Sequence, residues 1–435
     1  MTDEDLPPTS PDPAPEPEPG LLARARGHLM DLTPLRESRD FRVLFVGKSV
    51  SDLGDEIVAT VVPFQVYQLT HSTLAVGLLG LCALVPVFVF PIIGGAFADA
   101  VERRRFVIVM HAVLAVMSAF MAVNAMRDEP LLWPLYVFAT LSAGLYTFNR
   151  PAMSTWPARL LPPDLLPSSN ALEVAFHTIG AMGGPVLAGI LILTVGPAGA
   201  FLFDVFSFLF VIAMVWRMKP SPPSDEGASV SWAAIVDGFR FLKGKRTIQS
   251  VFGIDLIAMI FGFPMALFPA IAEQLGHGSG AGVLGLLYAA PAFGAFLATL
   301  FSGRAKHVRR QGRAIMLGVT IWGAAIVVFG LSNTLWLSLA MLTIAGAGDM
   351  LSGIYRSTIL QAAVDDSIRG RLDGIGMAVW ATGPSLGELE SGVVASIWSV
   401  PVSVVSGGLL TILGVGLLGL FVPAFARYDA KHPTL

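Results

Sequence analysis

Four ionisable residues, Lys48, Asp52, Asp55 and Glu56, interrupt an otherwise apolar stretch at residues 42–68. Spacings of three and four residues set them along one stripe of a helix. A charged side chain at mid-bilayer costs on the order of 2.5–3.5 kcal/mol on insertion scales, so such residues mark pairing or chemistry. Lys48 can pair with Asp52 one turn on, which leaves Asp55 or Glu56 without an obvious partner. At 1.5 Å per residue, Asp55 lies roughly 20 Å from Arg42, close to the membrane midplane. A carboxyl held there can load and release a proton as its surroundings change. Further on, Glu173 and His177 are one turn apart, and His177 reads either as a titrating group or as the partner of Glu173. Glu388 and Glu390, mid-way along another apolar stretch, are two residues apart and cannot share a face; Glu388 is the better placed. Asp255 and Asp349 are weaker candidates, and Asp204 reads as a solvated or capping acid near the outer end of its helix.

The elements that must position these groups follow from composition. The 435 residues are 54% hydrophobic and only 14% charged, against about 25% charged in soluble domains, which points to a multi-pass membrane protein. A spanning helix needs about 20 apolar residues. Twelve such stretches occur, at 42–68, 74–98, 105–126, 131–151, 169–193, 198–218, 247–272, 280–302, 313–331, 334–355, 371–395 and 401–426. The expected fold is therefore all-α and integral to the membrane, with twelve transmembrane helices in two pseudo-symmetric six-helix bundles. Of 28 Lys and Arg, Arg127 alone falls in a connection on the far side and Lys48 within a helix; the rest share the side of both termini. The positive-inside rule makes that side cytoplasmic.

The domain plan has five parts. Residues 1–40 form an acidic, proline-rich tail expected to be disordered, followed by a basic segment. Residues 41–218 form the first bundle and 219–246 a cytoplasmic linker with an amphipathic surface helix. Residues 247–426 form the second bundle, and 427–435 a short tail. The bundles repeat at an offset of about 205 residues: "GLLGLCALVP" (77–86) aligns with "GVLGLLYAAP" (282–291), and Arg150 with Arg356. Arg150 and Arg356 read as topology anchors or as partners in an inner gate.

Two motifs then narrow the class. "GGAFADAVERRR" (94–105) sits between the second and third stretches and resembles the loop signature of the major facilitator superfamily, G-x-x-x-D-[RK]-x-G-[RK]-[RK]. The resemblance implies an inner-gate loop built from Gly95, Asp99, Arg103 and Arg104, with the Asp99 carboxylate latching onto a helix N-terminus or an arginine. Ala100 and Glu102 depart from the pattern, which has a basic residue and a glycine there. "GAMGGPVLAG" (180–189) resembles the antiporter motif of the same superfamily, carried by Gly180, Gly184, Pro185 and Gly189 with Ala188 in place of a glycine. With "FRVLFVGKSVSDLGDEIVATVVPFQVYQLTHSTLAVGLLG" (41–80), "GFRFL" (238–242), "LGLLYAAPAFGA" (284–295) and "RGRLDGI" (369–375), the chain over roughly residues 35–425 looks like the branch that holds the enterobactin exporter, with macrolide-efflux proteins close by. That likeness implies a secondary exporter of the inner membrane with a siderophore or a drug as cargo.

No P-loop, clustered Cys/His metal site or nucleophile elbow is present, so an enzyme, a primary pump and a resident cofactor are not expected. The single cysteine, Cys82, reads as packing, and no basic face suggests nucleic acid. The expected partners are protons, a small-molecule substrate and the bilayer, with the chain a monomer. A siderophore site needs room, ring contacts and hydrogen-bonding groups, which Gln65, Tyr67, Tyr146, Asn149, Tyr288, Tyr355 and Trp380 would supply. A macrolide or multidrug pump is the rival cargo reading; a non-transporting receptor or lipid scramblase on the same scaffold is the rival from another class. Reporter fusions at Pro19 and Pro433 are expected to report the cytoplasm and one at Asp128 the outside. Any other pattern removes the twelve-helix topology.

Overall fold

A computed structural model describes residues 31–221, 240, 242, 244–276, 280–301, 303, 308–362 and 366–429. The acidic tail, most of the linker with its surface helix, and the last six residues lie outside the described residues. Among the described residues, twelve long helical segments follow one another: α1 Arg39–Thr70, α2 Thr73–Ala100, α3 Arg103–Ala125, α4 Trp133–Thr155, α5 at 166–195 and α6 at 197–216. The second half repeats this with α7 Arg246–Leu275, α8 Gly280–Leu300, α9 Gln311–Leu331, α10 Leu335–Ala362, α11 Asp366–Ile397 and α12 Val400–Phe421. Among the described residues, seven stretches are apolar and long enough to cross a bilayer by length and composition. The charged stripe keeps α1 out of that set. Exposed apolar side chains at helical spacing, Val109, Val116 and Val123 on α3 or Leu413, Leu417 and Leu420 on α12, form the surface turned to lipid.

Local chemistry sets the ends. Ser38 caps α1 by accepting from the Phe41 N–H at 3.1 Å. The left-handed backbone of His71 (φ 47°) stops the same helix. Gly196 takes φ +74° ahead of Pro197 and turns the chain from α5 into α6, a conformation open to glycine. Helix α7 breaks at residues 262–267, and the break is satisfied from the side: Trp322 donates to the Gly262 carbonyl at 2.8 Å and Tyr288 to that of Met265 at 3.2 Å.

The halves meet through α2 with α11 and α5 with α8. A Cβ on Gly189 would stand 2.7 Å from the Ala281 carbonyl, and one on Gly285 would be 2.3 Å from that of Pro185. A Cβ added to Gly77 would stand 2.6 Å from the Glu388 carbonyl, and one on Gly392 2.7 Å from that of Thr73. These approaches lie towards the side away from the termini, hereafter the outer side. The apolar cores agree. The outer cluster of the first half (Ile57, Val61, Phe138, Phe201) takes in Ala266 and Ala281 of the second, and Phe64 packs on the second half's own outer cluster. On the inner side each half keeps a separate core, one around Trp156, Phe106 and Val211, the other around Ile254, Tyr355 and Phe425. The bundles are thus closed against each other on the outer side and packed independently on the inner side.

Gly346 supports the α8–α10 contact, where an added Cβ would lie 2.0 Å from the Pro291 carbonyl, whereas Gly416 has nothing within 4 Å. Gly346→Val is expected to lower the thermal unfolding midpoint in detergent, consistent with an overpacking cost of about 1–3 kcal/mol. Gly416→Ala is expected to leave it unchanged or raise it.

Candidate functional site

In the first half the polar groups converge where α1, α4, α5 and α6 face one another. Lys48 Nζ lies 2.8 Å from Asp52 Oδ2, one turn on, and 4.0 Å from Glu173 Oε2 on α5. Lys48, Asp52 and Glu173 each remain about a quarter exposed, so the cluster meets water. Tyr146 of α4 is 52% exposed and lies within electrostatic reach of Lys48, Asp52, Asp55 and Arg150. Glu56 packs against α5 at Gly184, where an added Cβ would stand 2.4 Å from that of Glu56. His177, weighed above as the partner of Glu173, lies within electrostatic reach of Glu56. Arg150 is exposed.

Asp204 corrects the sequence reading. It is neither solvated nor a cap but 1% exposed, and its Oδ2 accepts a 2.5 Å hydrogen bond from Ser118 of α3. Position along a helix gives depth but not face, and α6 turns this residue inward. Gly54 of α1 leaves the room: an added Cβ there would lie 2.4 Å from Ser207 Oγ and 2.6 Å from Asp204 Oδ1.

The second half builds a tighter cluster. Arg356 of α10 bonds Asp255 of α7 and, at 3.0 Å, Asp349 two turns earlier on its own helix. Trp380 of α11 donates to Asp255 Oδ2 at 2.9 Å. Asp255 is the buried member, with a side chain 5% exposed, while Asp349 at 47% opens to water. Lys48 is the tenth residue of α1 and Asp255 the tenth of α7, so the repeat sets one charge of each sign at equivalent places. Composition alone hid this grouping, because it joins residues up to 125 apart in sequence.

Glu388 and Glu390 lie in the outer half of α11, not midway. Glu388 Oε2 fits 2.8 Å from the position a Cβ would take on Gly80 of α2, and Thr73 donates to the Gly392 carbonyl at 3.2 Å. Glu390 is half-buried. Tyr67, near the outer end of α1, faces Glu273 of α7 across the two halves. Within the antiporter-like motif, Gly184, Pro185 and Gly189 carry the close approaches to α1 and α8; Gly180 has nothing within 4 Å of an added Cβ.

Four cavity candidates are corrected. Tyr355 is 7% exposed and belongs to the inner core with Ile254 and Phe425. Gln65 and Asn149 are buried, each with a side-chain oxygen that has no partner. Tyr288 gives its hydroxyl to the broken helix α7 and its ring to Phe268. Residue type suggested cargo contacts; burial and backbone satisfaction claim these side chains first. Gly95 and Asp99 fall in the last turns of α2, whose side chains lie outside the described residues. Around them, Arg103 donates to Thr155 Oγ1 at 2.7 Å and Arg104 to the Trp216 carbonyl at 2.7 Å. Glu102, the departure from the signature, caps α3 by accepting from the N–H groups of Arg104 and Arg105 and also holds the Ser221 N–H at 2.9 Å.

With this geometry in hand, the comparisons are decisive for family. Residues 30–432 match the family described as transmembrane secretion effector. The chain belongs to that family. It is a member of the major facilitator superfamily and resembles the enterobactin exporter EntS of Citrobacter koseri, 26% identical over 93% of this chain and 97% of the relative. The EntS protein of Escherichia coli is 25% identical over 94% and 97%. Among solved structures, a bacterial homologue of the human lysosomal transporter Spinster, inward-facing and unoccupied, superposes with a TM-score of 0.69 at 15% identity, covering 91% of this chain and 96% of that one. A bacterial homologue of the iron transporter ferroportin, also inward-facing, gives 0.64 at 15% identity over 89% and 98%. At such identities the structures speak for the fold alone. As a transmembrane secretion effector the chain is a multi-pass inner-membrane transporter of a small molecule.

The buried ion pair of this family member gives a stability test. Removing one partner of a buried pair leaves an uncompensated charge and costs about 3–5 kcal/mol. Arg356→Met is therefore expected to lower the thermal midpoint sharply, Asp349→Asn far less, and Asp255→Asn combined with Arg356→Met less than the sum of the two. Additive losses would show that the pair does not act as a unit.

Proposed function

We propose that the chain is a proton-coupled secondary exporter working by alternating access, with a siderophore of enterobactin type as its cargo. The observation that carries this reading is the likeness to the enterobactin exporter over 93% of the chain and 97% of the relative. The antiporter-like approach of Gly184, Pro185 and Gly189 supports export by antiport. Both termini face the cytoplasm, so the separately packed side is the one from which cargo enters. Tyr146 and Trp380, one from each half and both half-exposed, offer rings to an aromatic, oxygen-rich cargo. Lys48 and Arg356 offer donors, and Asp55, Glu56, Glu173, Glu388 and Glu390 are the acids from which the coupling group is drawn. The gate on the cytoplasmic side uses Asp99 with the arginines around it.

A second reading, efflux of macrolides or other drugs with the antibiotic resistance that follows, draws on one feature: acids outnumber cations around Lys48, which favours a cationic ligand. Deletion of the gene in its host under iron limitation is expected to lower extracellular siderophore and raise the intracellular pool. Unchanged siderophore with new sensitivity to macrolides or cationic dyes transfers the assignment to drug efflux. In proteoliposomes, Asp55→Asn and Glu388→Gln are each expected to impair transport against a gradient while sparing cargo binding, because an amide fills the space without cycling a proton. Undiminished, equally pH-dependent uphill flux in both variants removes these two acids from the mechanism.

A further inference from the structure

The guanidinium of Arg356 is held unequally on its two sides. Nη1 meets Asp255, which is buried and whose second oxygen accepts the Trp380 indole N–H at 2.9 Å. Nη2 meets Asp349 at 3.0 Å, and that side chain is 47% exposed. Breaking a buried arm strands a charge, whereas an ion pair open to water contributes little. The Asp349 arm is therefore the one that another anion can replace.

That arm lies away from lipid. On α10 the exposed Leu337 and Ile344, seven residues apart, mark the lipid-facing stripe. At about 100° per residue, Asp349, Gly353 and Arg356 fall roughly 120–180° round the helix from Ile344. Gly353 stands one turn from each of the two charged residues and is half-buried. Apart from the helix's own backbone, an added Cβ there would meet one atom within 4 Å, Arg356 Nη2 at 3.5 Å. The glycine thus leaves a notch that opens onto the guanidinium. Beside it the indole of Trp380 is half-exposed, yet its N–H is anchored on the same Asp255 carboxylate that binds Nη1. One carboxylate therefore sets the offset between ring and guanidinium.

We infer that Arg356, Gly353 and Trp380 form a subsite for an aromatic acid, a planar ring that carries an ionised oxygen. The ring lies on Trp380. The oxygen enters the Gly353 notch and takes the Nη2 bond from Asp349, which turns out into water. The guanidinium has two anionic partners before and after, so the exchange leaves no buried charge unpaired. A cation is disfavoured in the notch, because the group it opens onto is itself positive. This subsite deepens the exporter reading above and rests on it for the cargo that supplies the ring.

Equilibrium binding of radiolabelled salicylate to the full chain in lipid vesicles tests the subsite. Gly353→Leu fills the notch and leaves every charge in place; it is expected to weaken binding about tenfold, the loss of one charge-assisted hydrogen bond. Gly353→Ala, whose methyl fits at ordinary contact distance, is expected to weaken it less. Asp349→Asn is a poorer competitor for Nη2 and is expected to tighten binding by about two- to fivefold, the worth of an exposed ion pair. Should Gly353→Leu fail to fold, Gly353→Ala and Asp349→Asn carry the same test through the opposite signs of their effects. Absence of salicylate binding, or binding that ignores the Gly353 and Asp349 variants, overturns the subsite. Binding of benzyltrimethylammonium that Gly353→Leu abolishes overturns the anion and gives the notch to a cation. Flux of a catecholate siderophore across the same vesicles separates this inference from the exporter reading. Siderophore flux unchanged by Gly353→Leu and Asp349→Asn removes the subsite and leaves the exporter. The expected salicylate responses in a protein that carries no siderophore keep the subsite and remove the siderophore cargo.

Discussion

A charge carried into a bilayer must meet an opposite charge, a hydrogen-bond donor or water, and this constraint decides which helices of the chain belong together. Lys48 draws α1 to α5 through Glu173, and Arg356 draws α10 to α7 through Asp255, with Trp380 adding α11. Asp204 ties α6 to α3 through Ser118. These contacts give each half its own polar frame at about the same depth.

Backbone proximity supplies the second frame. Small residues let helices approach closely in a membrane, where no hydrophobic force draws one helix to another. Gly189, Gly285, Gly77 and Gly392 show this at the contact of the two halves, where a single methyl group would collide with a carbonyl. The glycine and proline pattern of residues 180–189, and the repeat linking 77–86 to 282–291, were legible because spacing alone carries them. Helix count followed from apolar length in the same way.

What stayed illegible concerns faces rather than elements. The sequence assigns Asp204 to its helix but not to the inward face it occupies, since a near-uniformly apolar helix gives no stripe from which to read orientation. Tyr355, Gln65 and Asn149 were chosen by residue type, and type does not tell a cavity wall from a core. Glu102 looked like the decay of a loop signature. In the structure its carboxylate replaces a flexible glycine with a cap on α3 and a tether on the first residues of the linker. The ion pair of Asp255 and Arg356 was invisible for another reason: its members lie 101 residues apart.

The two frames divide the work of motion between them. Every ion pair named above lies within one half: Lys48 with Asp52 and Glu173 in the first, Arg356 with Asp255 and Asp349 in the second. Among the described residues, the contact between halves is instead built from apolar packing, glycine against carbonyl, a hydrogen bond from Thr73 to Gly392 and the approach of Tyr67 to Glu273. Parting two opposite charges in a low-dielectric region would be costly, whereas parting neutral surfaces forfeits dispersion contacts of about 0.1–0.2 kcal/mol each and a few weak polar bonds. A rocking motion of one bundle against the other would therefore keep the pairs named above intact and break the cheaper set. The charged groups travel with their own half, and what changes is their access to water and to one another. For the proton-coupled exporter proposed above, access is the quantity that must alternate, and Glu388, which packs against Gly80 at the contact of the halves, is an acid whose surroundings such a motion would change.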